Sequence, residues 1–558
     1  MNKNKIWSIA VGIITAGVIL FVGLLGLCIS INIHDEMFWI LIAVTAFVSV
    51  LLARLTLGIK DFGKVTVTKR TGSKGRHKEY SKFQLSFKPY IIPIAIIGVM
   101  ILVAVTGSEL FNSTRYAQIL TVKDTEFTED VPESAGTDSI ALMDTASAKM
   151  LGDREIGSLS NVVSQFNVSY DYSQIDYCGK PVKVSALEYA GFFKWINNRD
   201  NGVCGYVTVD PVSMSASYNE SKGMKYVPSA YLLDDAYRHI WLKYPTAMFG
   251  NLHFEIDEEG NPYYIASVYN RTISLFGGET VSGCIILDPV TGETEKYDVA
   301  DIPQWVDIVF DGDLICKQYN WYGTLQNGYV NSIIGKKGCK QITTYYSEET
   351  EDEEPVSDYG YVSKDGDIWI YTGVTSVNGD SSNIGFLLAN ERTGESHYFA
   401  VAGADEKSAM AAAEGEVQEK GYQASFPSLI NVNGNSTYIM VLKDDGGLVK
   451  LYAAVNVEQY NLVTTAATQA QCIANYKEML GINEEAEAEQ ETQSITMTVS
   501  SIKYIDIDGN TYIYLIDTED NFYKAKAASF EQMLLLKEGD RVELTCSGSK
   551  ILSFKMIK

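Results

Sequence analysis

From Ile6 to Ile33 the chain carries no charged residue (IWSIAVGIITAGVILFVGLLGLCISINI). That run exceeds the roughly 20 residues a helix needs to cross about 30 Å of hydrocarbon. It is also too long for the apolar core of a signal peptide. A second apolar run, Met37 to Ala53, follows after only His34-Asp35-Glu36, and a third covers Pro89 to Gly107. Buried core helices would show an amphipathic stripe, and these runs do not. The expectation is a three-helix transmembrane unit over residues 1–107.

Basic residues set the expected orientation. Segment 58–88 holds Lys60, Lys64, Lys69, Arg70, Lys74, Arg76, Lys78, Lys82 and Lys88 against Asp61 and Glu79, while the short first loop holds Asp35 and Glu36 and no Lys or Arg. The N-terminus and the basic loop are therefore expected in the cytoplasm, and residues 108–558 outside, at a plasma membrane crossed more than once. Residues 1–107 carry a net +8, so the remainder carries −33 of the total −25. An ectodomain so acidic argues against a nucleic-acid partner. The basic loop needs only the positive-inside rule to explain it.

The ectodomain holds seven of the eight cysteines, scattered and without a CxxC, which is not a disulfide framework. Cys178 with Cys204, and Cys316 with Cys339, are candidate single bridges by separation. Cys284 and Cys472 read as small buried apolar residues.

Glycine-centred turns between alternating apolar runs signal hairpins, and two stretches match beyond that. Ile256 to Ile265 aligns without a gap on Ile430 to Ile439, sharing Gly260-Asn261 with Gly434-Asn435. Gly283 to Ala300 (GCIILDPVTGETEKYDVA) aligns on Gly385 to Ala402 (GFLLANERTGESHYFAVA) through Thr291-Gly292-Glu293 and Thr393-Gly394-Glu395. Asp/Asn-Gly turns converge readily, but an eighteen-residue match favours a duplicated hairpin. Helical periodicity at 229–244, 303–325, 406–419 and 468–480 completes the plan: a helix plus a three-stranded antiparallel sheet, taken twice, as modules 226–345 and 346–482. This resembles the PepSY and cystatin-like class of extracytoplasmic modules, here through Asp288-Pro289-Val290-Thr291-Gly292-Glu293, with Asn390 in place of the Asp in the second copy. The resemblance implies binding or inhibition of peptidases and regulation at the cell surface.

Residues 108–225 read as a membrane-proximal α+β domain with a strand at 116–122, helices at 139–151 and 187–198, and a strand at 205–210. Residues 483–494 form an acidic linker, and 348–354 (EETEDEE) an acidic loop. Neither has the alternating oxygen spacing of a calcium loop. Residues 495–558 read as five strands with a helical insert between the third and fourth, which resembles an OB fold. The fold class is thus a multi-domain membrane protein: three N-terminal helices, repeated helix-plus-antiparallel-sheet modules and an OB-like β-barrel.

No catalytic motif is present: HExxH, Gly-x-Ser-x-Gly and the P-loop are all missing. Neither a cofactor nor a metal is expected. Asp235 and His239 lie at i, i+4, most simply as a helix-surface pair, and His397 is expected to face solvent. Aromatic residues are the better signal for binding: Tyr319, Trp321 and Tyr322 at a helix end, and Tyr263-Tyr264 on a hairpin, although the alternative is packing of sheet on helix. The reading is a non-enzymatic, membrane-anchored binding or scaffold protein of a bacterial-type envelope. Its expected partners are the lipid bilayer, an envelope protein or surface polymer, and further subunits through the transmembrane helices. The alternatives are an accessory subunit of a transport or secretion complex and an acid-dependent cell-wall hydrolase.

Overall fold

The computed structural model describes residues 3–56, 63–71, 77–85, 90–131, 133, 142–345, 356–357, 359–377, 382–482, 493–507, 510–518, 521–527, 530–547 and 549–557. The acidic loop at 348–354 and nearly all of the linker 483–494 lie outside these residues. The chain divides into two compact units, Met1–Tyr476 and Lys477–Lys558.

Helices α1 (Lys3–Phe21, extended by a π turn Val22–Gly26) and α2 (Glu36–Leu55) are long and apolar enough to cross a membrane. They pair closely: Ser8 Oγ donates to the Ala53 carbonyl, and a Cβ on Gly12 would stand 3.3 Å from Ala53. A hairpin β1–β2 (Gly63–Thr71, His77–Leu85) occupies the basic segment. Helix α3 (Ile91–Thr106) then bends by 49° into α4 (Glu109–Ala117), so a third crossing exists only if this bent pair counts as one span. The first apolar run is shorter in the membrane sense than expected. Cys28 takes φ 52°, which ends the helix, and the following residues dock on the β-rich part of the chain. The Ile31 amide donates to the Pro245 carbonyl at 2.7 Å, and Trp241 Nε1 donates to the Ile29 carbonyl at 2.9 Å.

Among the described residues, most of the rest of this unit is built from four antiparallel meanders, each preceded by a helix whose first turn is capped by an aspartate, with two small two-stranded sheets (Thr344–Tyr345 with Val356–Ser357, Ser382–Asn383 with Gly403–Ala404) beside them. Sheet I follows α5 (Thr145–Gly157) and contains β4 (Phe166–Val168), β5 (Ser173–Tyr177), β6 (Lys180–Tyr189), β7 (Val203–Asp210) and β8 (Ser215–Met224). Its first position is shared by β4 and β5. A short helix α6 (Phe192–Asn198) links β6 to β7. Sheet II follows α7 (Ala236–Lys243) and contains β9 (Met248–Ile256), β10 (Pro262–Ile273), β11 (Gly277–Leu287) and β12 (Thr294–Asp298). Sheet III follows α8 (Gly312–Leu325) and contains β13 (Lys340–Ile342), β14 (Gly360–Lys364), β15 (Asp367–Ser376), β16 (Gly385–Asn390) and β17 (Ser396–Phe399). A strand from far upstream, β3 (Val122–Asp124), adds in parallel to β17. Sheet IV follows α9 (Glu406–Glu416) and contains β18 (Gln423–Ala424), β19 (Ser428–Val432), β20 (Asn435–Lys443), β21 (Val449–Asn456) and β22 (Val463–Ala466); α10 (Gln469–Met479) lays Cys472 and Tyr476 on it. The caps are Asp144, Asp235, Asp311 and Asp405, each accepting from an amide of the first turn.

The sheets stack face to face, which follows from the two-residue period of strands. On β10 and β11, Tyr264, Ala266, Ile285 and Leu287 face sheet I, while Ile265, Cys284 and Ile286 face sheet III. On sheet III, Ile370 and Leu387 face sheet II, and Trp369, Tyr371, Phe386 and Phe399 face sheet IV. The two ends of the stack meet where Lys443 of β20 pairs with Asp144 at the start of α5.

Both sequence matches fall on equivalent hairpins, and the sheets carry four such units with four strands each, not three strands taken twice. All four close with one side-chain device. Asp288 Oδ1 accepts from the amides of Val290 and Thr291, and Asn390 Oδ1 from those of Arg392 and Thr393. Asp210 does the same for Val212 and Ser213, and Asn456 for Gln459. An acceptor oxygen two or three residues before the amides is all the turn needs, so Asp and Asn exchange freely. In sheet I, Met214 takes the left-handed φ of 56° that Gly292 and Gly394 hold at 78° and 75°.

Other expectations are corrected. The strand expected at 116–122 is α4 followed by the short β3, because Tyr116 is buried against Trp321 and its hydroxyl donates to the Gly107 carbonyl. The helix expected at 187–198 starts only at Phe192; Leu187 and Tyr189 still pair with β4, and Gly191 at φ 96° makes the break. The helix expected at 139–151 is displaced to 145–157 by the Asp144 cap.

The second unit is a six-stranded half-barrel of β23 (Gln493–Thr498), β24 (Ser501–Ile507), β25 (Asn510–Ile516), β26 (Phe522–Lys526), β27 (Arg541–Ser547) and β28 (Lys550–Ile557). Their order is β23-β27-β28-β26-β25-β24, with β26 and β28 parallel. The two edge strands are consecutive in the chain and separated only by Val499 and Ser500, which curls the sheet around Met497, Ile513, Leu515, Val542 and Leu544.

Candidate functional site

Three of the four junctions in the first unit are filled with apolar side chains. The seam between sheets IV and I is not: it holds a polar cleft of about 390 Å³ where the first strands of sheets I, III and IV converge. Gln174 of β5, Lys183 of β6, Tyr361 of β14 and Ser428 of β19 line it, with Asp144, Thr145, Asp313 and Tyr359 at its walls.

Lys183 is the unusual member. It lies three residues past the residue closing the first hairpin of its sheet, where sheets III and IV carry Ile370 and Tyr438. An ammonium thus replaces a core side chain, and Lys183 is only 3% exposed. Its Nζ reaches Thr145 Oγ1 at 3.4 Å and lies 5.2 Å from the Tyr361 ring centroid. Among the described residues no carboxylate comes within ion-pair distance of it; the Asp144 carboxylate is taken by Lys443. Burial pulls the Lys183 pKa down to about 8, with Asp144 and Glu391 opposing that shift. Burial raises Asp144, but Lys443 outweighs it and the carboxyl ends below its usual range.

Behind Tyr359 and Tyr361 stands Glu391, the second departure from the repeat. It follows the turn-closing Asn390, in the position that Pro211, Pro289 and Val457 hold elsewhere. Its main-chain role is the shared one: the Glu391 carbonyl accepts from Val309 and Phe310, as the Pro289 carbonyl does from Lys225 and Tyr226. Its side chain is 2% exposed, with Oε2 unpartnered among the described residues. Burial, reinforced by Asp311 and Glu255, holds it protonated well above the usual carboxyl range. Glu255 and Asp307 are likewise fully buried and raised, by burial first; Glu255 accepts from the Asp307 and Ile308 amides at 2.8 and 2.9 Å. These three acids lie behind the cleft and do not line it. Chemically, the cleft offers the Lys183 cation, two phenols, hydroxyls and an amide to a ligand bearing an anionic group, flanked by the Asp144 carboxylate, which Lys443 pairs, and the Asp313 carboxyl, which burial and then Asp311 raise.

Lys183 and Glu391 carried a readable signal, namely a charge where aligned hairpins are neutral. Lys183 lies outside both matched stretches. Glu391 lies inside one, as the Pro289/Glu391 mismatch.

The aromatic residues singled out from sequence sit in packing. Tyr319 is 1% exposed, between sheets II and III with Tyr322; Trp321 stacks edge-on with Tyr116 and donates to Glu109 Oε1 at 2.7 Å. Tyr263 lies on Trp305, centroids 4.7 Å apart, and Tyr264 faces sheet I. The structure joins neither cysteine pair. Cys178, at φ 53°, is the first residue of a two-residue turn equivalent to Asp365-Gly366 and Asn433-Gly434, while Cys204 lies on β7; Cys316 and Cys339 are separately buried thiols. Asp235 caps α7, and His239 Nε2 lies 2.7 Å from the Gly292 carbonyl. His397 is not solvent-facing: it sits between Asp130 at 2.7 Å and Glu395 at 3.0 Å. No group of described residues could hold a metal ion.

No protein-family model matches the chain, and no curated protein matches it either. Among solved structures, a crystal structure of a B. megaterium levansucrase mutant aligns over 78% of this chain and 96% of its own, at 9% identity and a TM-score of 0.17. At that score the superposition carries no weight, and the fold rests on the pairings described above.

Proposed function

We propose that this chain is a membrane-anchored extracytoplasmic binding protein whose seam cleft takes an anionic group of an envelope protein or surface polymer. The observation that carries the reading is Lys183: a buried ammonium without a carboxylate partner among the described residues, at the floor of a polar cleft. A stability-neutral core would place an uncharged residue there, as sheets III and IV do with Ile370 and Tyr438. In this reading the helices cross the membrane three times with the N-terminus inside, as the basic residues suggest. The Asp-capped helix-on-sheet units act as PepSY-like binding modules. In the same reading the second unit is an OB-like cap, a view supported by the strand order β23-β27-β28-β26-β25-β24 and the one-turn helix at Glu531–Leu535 before β27.

The hydrolase alternative draws less support, because the closely grouped buried acids lie behind the cleft. The subunit alternative would need small-residue faces left open on the apolar helices, and Gly12 of the first is used internally against Ala53.

A photo-crosslinker at Ser428 in the full chain, followed by mass spectrometry of adducts formed in membranes, tests the proposal. The expected result is one dominant adduct, reduced at least tenfold by Lys183→Met. No adduct, or equal adducts in both, would sink the cleft as the binding site. Protease protection tests orientation: an ectodomain digested only in broken vesicles would overturn it.

A further inference from the structure

Three places in the ectodomain hold large apolar side chains out into solvent, and each is tied to the end of an apolar helix. The first joins Phe193, 77% exposed, with Leu232 and Leu233, at 66% and 64%. The Phe192 and Tyr231 rings connect its two halves, centroids 5.0 Å apart. The Arg238 guanidinium bonds both the Leu25 carbonyl, at the end of the first helix, and the Leu232 carbonyl. Leu232 therefore lies at the level where that helix leaves its apolar stretch. The second is Phe111, 64% exposed, on α4 just after the bend from α3. The third is Ile333 with Ile334, the latter 80% exposed, in the π turn after α8. The end of α8 reaches the same level, because Leu325 packs with Tyr116, whose hydroxyl bonds the Gly107 carbonyl at the end of α3. The β10–β11 turn marks this level again, with Leu275 and Phe276 against Trp39 and α3.

Exposed aromatic and aliphatic tips continuous with spanning helices suit the interfacial layer of a bilayer, where their burial is favourable and neighbouring lysines meet headgroups. Lys336 and Lys337 follow Ile334 after a single glycine, Gly335. We infer that the ectodomain is seated in the phospholipid leaflet that its helices enter, through these three apolar tips. The inference rests on the reading that the helices span the bilayer.

The test uses the full chain in vesicles of phosphatidylethanolamine and phosphatidylglycerol, with benzoylphenylalanine placed singly. Leu233 and Ile334 test the tips, and Ile13, on the exposed face of α1, reports spanning. Glu259 is the control: it sits at the opposite end of β10 from the turn, roughly 40 Å away at strand rise. Mass spectrometry reads lipid adducts after irradiation. Leu233 and Ile334 are expected to give at least fivefold more lipid adduct than Glu259, approaching Ile13. If Ile13 labels lipid while both tips match Glu259, the seating is wrong and the spanning reading survives. If Ile13 also fails, both fall. Adducts at the tips to a second copy of the chain in place of lipid would also overturn the proposal.

Discussion

Lys183→Met should stabilise the protein at and below neutral pH, and the gain should fade as pH rises past 8. The ammonium is buried, and its pKa drops from 10.5 to about 8. A shift of that size corresponds to about 3.4 kcal/mol against the charged form. Methionine has a similar volume and leaves no cavity. The loss to set against this is the long contact to Thr145 Oγ1, about 1 kcal/mol. The expected net gain at pH 7 is therefore about 2 kcal/mol. The pH dependence provides a second, sharper mark. Between pH 8 and 10.5 the unfolded lysine binds more protons than the folded one, so wild-type stability rises with pH across that window relative to the variant. By pH 9.5 about 2 kcal/mol of the penalty has gone, and the two proteins should be equally stable within about 0.5 kcal/mol. Urea unfolding followed by tryptophan fluorescence at pH 7.0 and 9.5 reads both numbers, and tyrosine ionisation cancels in the difference. A variant less stable than wild type at pH 7, or a gap unchanged by pH, would refute the account of Lys183 as an uncompensated buried charge.

Three further outcomes follow from the described contacts. Burial pushes Glu406 up to about 7, despite its bonds from the Gly373 amide and Thr343. Glu255, Asp307 and Glu391 are raised too, so stability should increase as pH falls from 7 to about 4.5, and Glu406→Gln should flatten that slope in thermal melts. Removing the ring in His397→Ala leaves the buried Asp130 carboxylate one donor short, at a cost of about 1–3 kcal/mol, and faster hydrogen exchange at Val122–Asp124 is the readout. Phe399→Ala opens the packing between sheets III and IV, where Phe399 is fully buried, and should cost about 3–5 kcal/mol in urea unfolding; a loss under 1 kcal/mol would mean the stacked faces are not a continuous core.

The apolar helices were legible because charge-free runs have few other solutions. So were the hairpins around Gly260, Gly292, Gly394 and Gly434, because left-handed turn positions restrict residue choice. The first sheet escaped notice for the same reason in reverse: Met214 and Ser213 stand where Gly and Thr mark the later copies, and the turn survives because Asp210 supplies the oxygen. The aromatic residues were visible as types, but types do not say which face of a strand is covered. Tyr264 and Tyr263 differ in burial only because sheet I lies on one side. The seam cleft was not legible at all, since it forms where residues near 144, 183, 361 and 428 meet, a property of stack closure.

Strand β3 gives the chain a problem of timing. The Thr125 amide donates to the carbonyl of Tyr398, 273 residues later. At roughly 5–20 residues per second of synthesis, this segment emerges on the order of 15–50 s before its partner exists. The sheets can mature in order of emergence, but the third keeps an open edge toward a segment made long before it. Folding of this chain therefore calls for something to shield residues 122–125 in the interval, whether the neighbouring helices or a folding factor.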